Sequence, residues 1–132
     1  MPAGADPRAR LISVEREPER ASGAAGVFHD TPAVSVINGD WPELRVHGPF
    51  DLLVLDGGGH GKGGAGPLDP TEWLNLGATI VIDDFTPTTQ WPPTYGGAVD
   101  QTRLYWLEHP YLVTTQIRVV SEMAVLIATR VR

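Results

Sequence analysis

Five acidic residues stand where chemistry would need them, at or just beyond the ends of apolar, strand-like runs. They are Glu15, Asp40, Asp56, Asp83 and Asp84. A carboxylate accepts two hydrogen bonds from a vicinal diol, and several carboxylates together coordinate a hard cation through oxygen. The acids therefore predict a site for a polyhydroxylated ligand or for a cation. The alternative is that they are solvated residues that end strands or cap turns.

The segment that follows Asp56 adds two further candidates, His60 and Lys62, within the glycine-rich residues 57–64. Histidine titrates near neutrality, so His60 is a candidate general base, unless it is only an exposed residue of a mobile loop. Lys62 invites comparison with a phosphate-binding loop. That motif is excluded because Asp56 stands where its first glycine belongs and Gly63 stands where its hydroxyl belongs.

These residues would be positioned by strands that alternate with helices. Strands are predicted at residues 10–15, 34–37, 50–56, 78–84, 112–120 and 123–131, and helices at 19–29, 70–76 and 99–109. The last two strands, separated by Ser121 and Glu122, predict an antiparallel hairpin. The alternation predicts an α/β fold with a mainly parallel sheet in one domain, residues 1–132. Ligands of such sheets bind beyond the carboxyl ends of the strands, where the acids lie.

Composition excludes several classes of function. The chain has no cysteine, which removes disulfides, thiolate zinc sites and cysteine nucleophiles. A net charge of -6 argues against nucleic acid as a partner. The apolar runs are too short to span a membrane, and the first residues lack the apolar core of a signal peptide, so a soluble, cytoplasmic protein is expected. His29, His47 and His109 are predicted to be surface residues.

The order of these features resembles the class I S-adenosylmethionine-dependent methyltransferases, of the small-molecule O-methyltransferase kind. The resemblance rests on a strand ending in Glu15, a strand followed by Gly39 and Asp40, the segments FDLLVLDG at 50–57 and GATIVIDD at 77–84, and the closing hairpin. It implies a Rossmann-like, mainly parallel sheet with S-adenosyl-L-methionine as cofactor. It also implies a small-molecule acceptor that is methylated at oxygen.

The resemblance also implies roles for individual residues. Glu15 would bind the ribose hydroxyls of the cofactor, and Gly39 and Asp40 would lie near its adenine amino group. Asp56 would be a catalytic residue that lies beside the methyl donor and the acceptor. His60 or a metal-bound hydroxyl would account for removal of the acceptor's proton.

A metal site is a further implication of the resemblance. In the metal-dependent relatives, acids that match Asp56, Asp83 and Asp84 hold Mg²⁺, which orients two substrate oxygens. Many metal-free relatives carry the same pair of aspartates, so capping or solvated acids are the alternative. Trp91 and Tyr95, in the loop after Asp84, would line an acceptor pocket or only fasten that loop to the body.

The sequence departs from the family at its amino-terminal side. The family's first strand, its Gly-x-Gly-x-Gly loop and the next helix would precede residue 10, and only nine residues stand there. We therefore expect weakened cofactor binding, together with one of three outcomes: a different natural start, direct pairing of the strands at Leu11 and Leu52, or a second chain that fills the gap.

Three functions follow from these features. The first is a methyltransferase. The second is a truncated, catalytically inactive module for binding or homodimerisation. A dehydrogenase is a distant third because no Gly-x-Gly-x-x-Gly fingerprint precedes Glu15.

Overall fold

The computed structural model describes residues 6–132. The chain has a mixed α/β fold with parallel and antiparallel strand pairs. It divides between Val46 and His47 into two compact units, which are described in turn.

The first unit is a short β-α-β arrangement. Its elements are β1 (Leu11–Glu15), α1 (Pro18–Val27) and β2 (Val34–Asn38), and a 3-10 helix at Trp41–His47 follows. The two strands are parallel, with Glu15 opposite Asn38 at their carboxyl ends. Pro18 occupies the first turn of α1, where its missing N–H costs nothing. The elements lie close to the predicted positions.

The second unit is built on a four-stranded sheet with the order β3-β4-β8-β7. Its elements are β3 (Phe50–Leu55), α2 (Pro70–Trp73), β4 (Leu74–Phe85), β5 (Thr94–Tyr95), β6 (Ala98–Val99), α3 (Gln101–Leu107), β7 (Leu112–Val120) and β8 (Met123–Arg130). The strands β5 and β6 form a separate two-stranded pair. The predicted hairpin is present as β7 and β8, which pair antiparallel.

The prediction of a mainly parallel sheet is wrong for this unit. Only β3 and β4 are parallel, because the second strand of the hairpin, β8, pairs antiparallel with β4 and carries β7 outside it. The three pairings of the four-stranded sheet are thus one parallel and two antiparallel.

The predicted helix at 70–76 is shorter than expected. Asp69 caps it, accepting the N–H of Thr71 at 2.8 Å, but the helix ends at Trp73 and β4 begins at Leu74. Leu74 is fully buried, so its side chain gains more by joining the core than by extending an exposed helical turn. Gly77 lies inside β4 with a φ of 81°, in the left-handed region that favours glycine.

The core of the second unit lies on one face of its sheet. Leu53, Ile80, Ile82 and Leu126 are buried there, and α3 contributes Trp106, which is fully buried. The side chains that alternate with them point to the opposite face. That face carries only uncharged residues over its paired positions, half of them exposed and the other half partly exposed: Leu52, Val54, Thr79, Val81, Val113, Thr115, Ile117, Val125, Ile127 and Thr129. We call these residues the open sheet face.

No helix within the described part of the chain has the length and apolar character that crossing a membrane requires.

Candidate functional site

In the second unit the sheet brings the predicted acids to one edge. Leu55 of β3 pairs in parallel with Ile82 of β4, so Asp56 and Asp83 follow at the same end of neighbouring strands. Asp56 is exposed there. Asp84 has a φ of 68°, an uncommon left-handed conformation for a residue other than glycine, and its N–H donates to the Asp83 carboxylate at 2.7 Å.

The metal site predicted for Asp56, Asp83 and Asp84 is not supported. Among residues 6–132, no three histidine, aspartate or glutamate side chains are grouped closely enough to hold a metal ion. The Asp83 carboxylate is engaged by the backbone of Asp84, and a cationic side chain already lies at this edge.

That cation is Lys62. Its Nζ donates to the backbone carbonyl of Asp83 at 2.8 Å and to that of Asp84, and lies 3.9 Å from the centroid of the Phe85 ring. Burial lowers the pKa of the lysine, an effect that the charges of Asp84 and Asp100 oppose. The sequence analysis considered Lys62 only as a residue of a phosphate-binding loop, which it excluded, and it missed the contacts of Lys62 at the end of β4.

His60 is held in place by the loop that carries it. Its carbonyl accepts the indole N–H of Trp106 at 2.8 Å, and its Nδ1 accepts the backbone N–H of Lys62 at 2.9 Å. A neutral ring with Nδ1 as acceptor carries its proton on Nε2. Burial, followed by the charge of Lys62, lowers the pKa of His60 below its usual 6.5. To accept a proton, the ring must therefore first give up the bond from Lys62.

A cavity of about 380 Å³ opens beside these residues. Its lining includes Lys62, Asp84, Phe85, Tyr95, Asp100 and Arg103. Tyr95 thus lines this cavity, as one of its two predicted roles requires. Trp91 lines a separate and smaller cavity of about 130 Å³ and is 64% exposed.

Arg103 forms the buried wall of the larger cavity, and sequence reasoning missed it. Its guanidinium donates to the Asp100 carboxylate at 3.1 Å, to the Thr86 carbonyl at 2.7 Å and to the Gln116 side chain at 2.8 Å. Only 1% of the residue is exposed. The helical spacing does indicate that Arg103 faces inward, because it lies one turn before Trp106 and Leu107 on the inward side of α3.

In the first unit, the strand-end acids organise two turns. Glu15 accepts the N–H of Glu17 at 2.8 Å through one carboxylate oxygen. Asp40 accepts the N–H of Trp41 at 2.8 Å, and its own N–H donates to Glu43 at 3.0 Å. A carboxylate has about four lone-pair sites, so Glu15 retains the capacity to bind two hydroxyl groups.

Gly39 stands where a side chain would meet Glu43. A Cβ at this position would lie 2.5 Å from a carboxylate oxygen of Glu43. The N–H of Gly39 donates to the Glu15 carbonyl at 3.1 Å, which ties the turn to the end of β1. Glu43 is a residue of this turn that the sequence did not single out.

Comparison with known proteins gives a fold but no family. No family model matches the chain, and no curated protein is similar to it in sequence. Among solved structures, cofactor-bound Rv0187 from MTB matches 96% of this chain with a TM-score of 0.68 and 22% identity. A methyltransferase from Geobacter sulfurreducens matches 92% with a TM-score of 0.65 and 16% identity. The SAH-bound methyltransferase PaMTH1 from Podospora anserina matches 89% with a TM-score of 0.60 and 18% identity.

The chain spans 64%, 58% and 60% of the lengths of these three proteins. At identities this low the likeness concerns the fold alone. It confirms the coarser part of the prediction, a Rossmann-like fold of the kind that class I methyltransferases adopt.

Proposed function

We propose that this chain binds S-adenosyl-L-methionine and takes part in methyl transfer to the oxygen of a small-molecule acceptor. The observation that carries the proposal is the structural likeness to a cofactor-bound protein over 96% of the chain and to an SAH-bound methyltransferase over 89% of it. The acids at the strand ends add chemical support, because open α/β sheets generally bind ligands beyond the carboxyl ends of their strands.

In this proposal, residues of the first unit bind the adenosine part of the cofactor. Glu15 would accept hydrogen bonds from the two ribose hydroxyls, since its carboxylate is only partly used within the protein. Asp40 and Gly39 would lie against the adenine, with Glu43 fixing the turn that presents them. In the second unit, Asp56 is exposed at the end of β3 and would face the methyl-bearing part.

When bound, the cofactor supplies a methyl group on a positively charged sulfur, which a nucleophilic oxygen can attack. The contribution of the chain is to hold the acceptor oxygen in line and exclude competing water, because proximity and alignment supply most of the acceleration. His60 keeps a proposed role as proton acceptor, provided that its ring releases the N–H of Lys62.

Isothermal titration calorimetry with S-adenosylhomocysteine tests the proposal. Glu15→Gln removes the charge that strengthens hydrogen bonds to the ribose, and we expect the affinity to fall about 10-fold to 100-fold. Glu17→Gln is the matched control, because Glu17 lies on the same turn and should leave the affinity unchanged. If the unaltered chain shows no heat of binding, or if both variants bind equally well, the proposal fails.

A second candidate is a catalytically inactive module for binding or homodimerisation. It is favoured by the unpaired strand edges: within the described residues, β1 pairs only with β2 and β3 pairs only with β4. An unpaired edge offers backbone groups to another strand. Sedimentation equilibrium that shows a dimer, together with no affinity for S-adenosylhomocysteine, would favour this candidate over the first.

A further inference from the structure

The open sheet face is an uncharged surface on a chain that is otherwise acidic. Leu52, Val54 and Val113 are each more than half exposed on this face. No charged residue occupies one of its paired positions, whereas the whole chain has 16 acidic and 10 basic residues. An apolar patch of this extent generally marks a surface that binds another molecule.

The size of the face suits an interface between two proteins. It spans four strands, and along the hairpin it continues to Val120 and Met123, which pair with each other and are both exposed. Strands lie about 4.8 Å apart and rise about 3.4 Å per residue, so the face covers on the order of 400–500 Å² in projection and more as accessible surface. Two such faces in contact would bury about 1,000 Å² or more, which is the size at which specific interfaces begin.

Charge and side-chain shape favour a second copy of this chain as the molecule that covers the face. Each copy has a net charge of -6, so two copies repel each other wherever their charged surfaces approach. On the open sheet face they can meet without bringing like charges into contact. The face consists of leucine, valine, isoleucine and threonine, and branched side chains of two facing sheets interdigitate in a layer about 10 Å thick.

We propose that the open sheet face is the interface of a homodimer in which the four-stranded sheets of two copies pack face to face. One such face per copy gives a closed dimer and no larger assembly. The inference goes beyond the proposed function and does not depend on it, since no cofactor takes part in the contact. It also differs from pairing through strand edges, because backbone hydrogen bonds at an edge leave the side chains of the face exposed.

Sedimentation equilibrium at protein concentrations from about 1 to 100 μM tests the proposal. We expect a dimer with a dissociation constant of about 10 μM or less. Val54→Lys on β3 and Val113→Lys on β7 place a charge on opposite sides of the face. Each should raise the dissociation constant at least about 100-fold, because the ammonium would be desolvated without a partner. Val46→Lys is the matched control and should change nothing, because Val46 is 83% exposed and belongs to the first unit.

Lysine is chosen because it separates the effect of the face from that of the overall charge. Each lysine makes the chain less negative, so the general repulsion between copies falls, and a weaker dimer must then come from the face itself. Thermal melting confirms that each variant is folded. Should a lysine variant not fold, Val54→Ser or Val113→Ser removes apolar area without adding charge and should weaken the dimer about 10-fold.

The proposal is overturned if the unaltered protein stays monomeric over the whole concentration range, because the face would then be free for another protein segment. It is also overturned if Val54→Lys and Val113→Lys dimerise as tightly as the unaltered protein, which would place the contact on the strand edges, or if the protein assembles beyond a dimer. Failure of the proposed function is a separate result, because it would show as absent affinity for S-adenosylhomocysteine whatever the oligomeric state.

Discussion

At the scale of single residues, Arg103 and Asp100 form an ion pair that is largely buried. The arginine side chain is 1% exposed and the aspartate side chain 12%, and Nε, Nη1 and Nη2 of the guanidinium each donate to an acceptor. The second oxygen of Asp100 accepts the backbone N–H of Arg103 at 3.0 Å, which caps α3. One carboxylate thus neutralises a buried cation and begins a helix.

Asp100→Ala should lower the free energy of unfolding by about 3 kcal/mol, because it leaves a buried cation unpaired and removes a helix cap. Urea denaturation measures the change. Asp69→Ala is the control, since Asp69 caps α2 but is exposed, and it should cost about 1 kcal/mol. Equal losses in the two variants would show that the Arg103 pair contributes little.

His109 was predicted to be a surface residue, but the structure buries part of it between two tyrosines. Its ring lies 5.2 Å from that of Tyr105 and 5.9 Å from that of Tyr111, and its Nδ1 accepts the Tyr111 N–H at 3.3 Å. Burial lowers the pKa of His109 below 6.5, although the charge of Asp69 opposes this. His60 shifts in the same direction.

Because these pKa values are lower in the folded protein, the unfolded chain takes up protons first as the pH falls. The contribution of these two histidines to the free energy of unfolding should therefore be fully present above about pH 6.5 and be lost as the pH falls below it. Thermal melts between about pH 7.5 and 5 measure the decline. His109→Gln should flatten it, while His47→Gln, at an exposed position, should not. A melting temperature that rises on acidification through this range would contradict the lowered pKa values of His60 and His109.

The residues that sequence reasoning identified are those next to clear strand ends, such as Glu15 and Asp56. An apolar run marks its own end, so the acid that follows it can be located without a structure. Lys62 and Arg103 could not be found in this way. Their partners are the carbonyls of Asp83, Asp84 and Thr86, and a backbone carbonyl has no signature in the sequence.

At the level of elements, two glycines show that the same substitution, glycine to alanine, can have opposite effects on stability. Gly23 lies in the exposed part of α1 and Gly77 lies inside β4 with a φ of 81°. Neither has an atom within 4 Å of the position that a Cβ would occupy. Any difference between the two sites must therefore come from the backbone.

Gly23→Ala should raise the free energy of unfolding by about 0.5–1 kcal/mol, because alanine favours the helix. Gly77→Ala should lower it by about 1–2 kcal/mol, because a left-handed conformation is costly for a residue with a Cβ. Guanidinium denaturation followed by circular dichroism measures both. Two changes of the same sign would show that conformational preference does not decide the outcome at these sites.

The elements themselves were largely predictable, whereas their pairing was not. A hairpin is predicted because only two residues separate the strand-like runs Leu112–Val120 and Met123–Arg130. Nothing in that pattern says which of the two strands joins the sheet, and the choice of β8 makes the sheet mixed. The helix predicted at 70–76 was too long for a related reason, because Leu74 and Leu76 suit a strand and a helix equally well.

At the scale of the whole molecule, charge and apolar surface are unevenly distributed. The chain carries a net charge of -6, yet the open sheet face has no charged residue at its paired positions. Leu52, Val54 and Val113 are 60%, 58% and 65% exposed on that face. A purely parallel sheet is ordinarily covered on both faces, whereas this mixed sheet leaves one face open.

The open sheet face has a calorimetric consequence. The heat capacity gained on unfolding comes mainly from apolar groups that water reaches for the first time. The apolar groups of the open sheet face are already exposed or partly exposed to water in the native state. A chain of 132 residues would ordinarily gain ~1.6–2.0 kcal/mol/K, and we expect scanning calorimetry of dilute protein to give less. An ordinary value at every protein concentration would contradict this. With a small heat capacity increment, stability varies gently with temperature, so this protein should resist cooling better than its size alone would indicate.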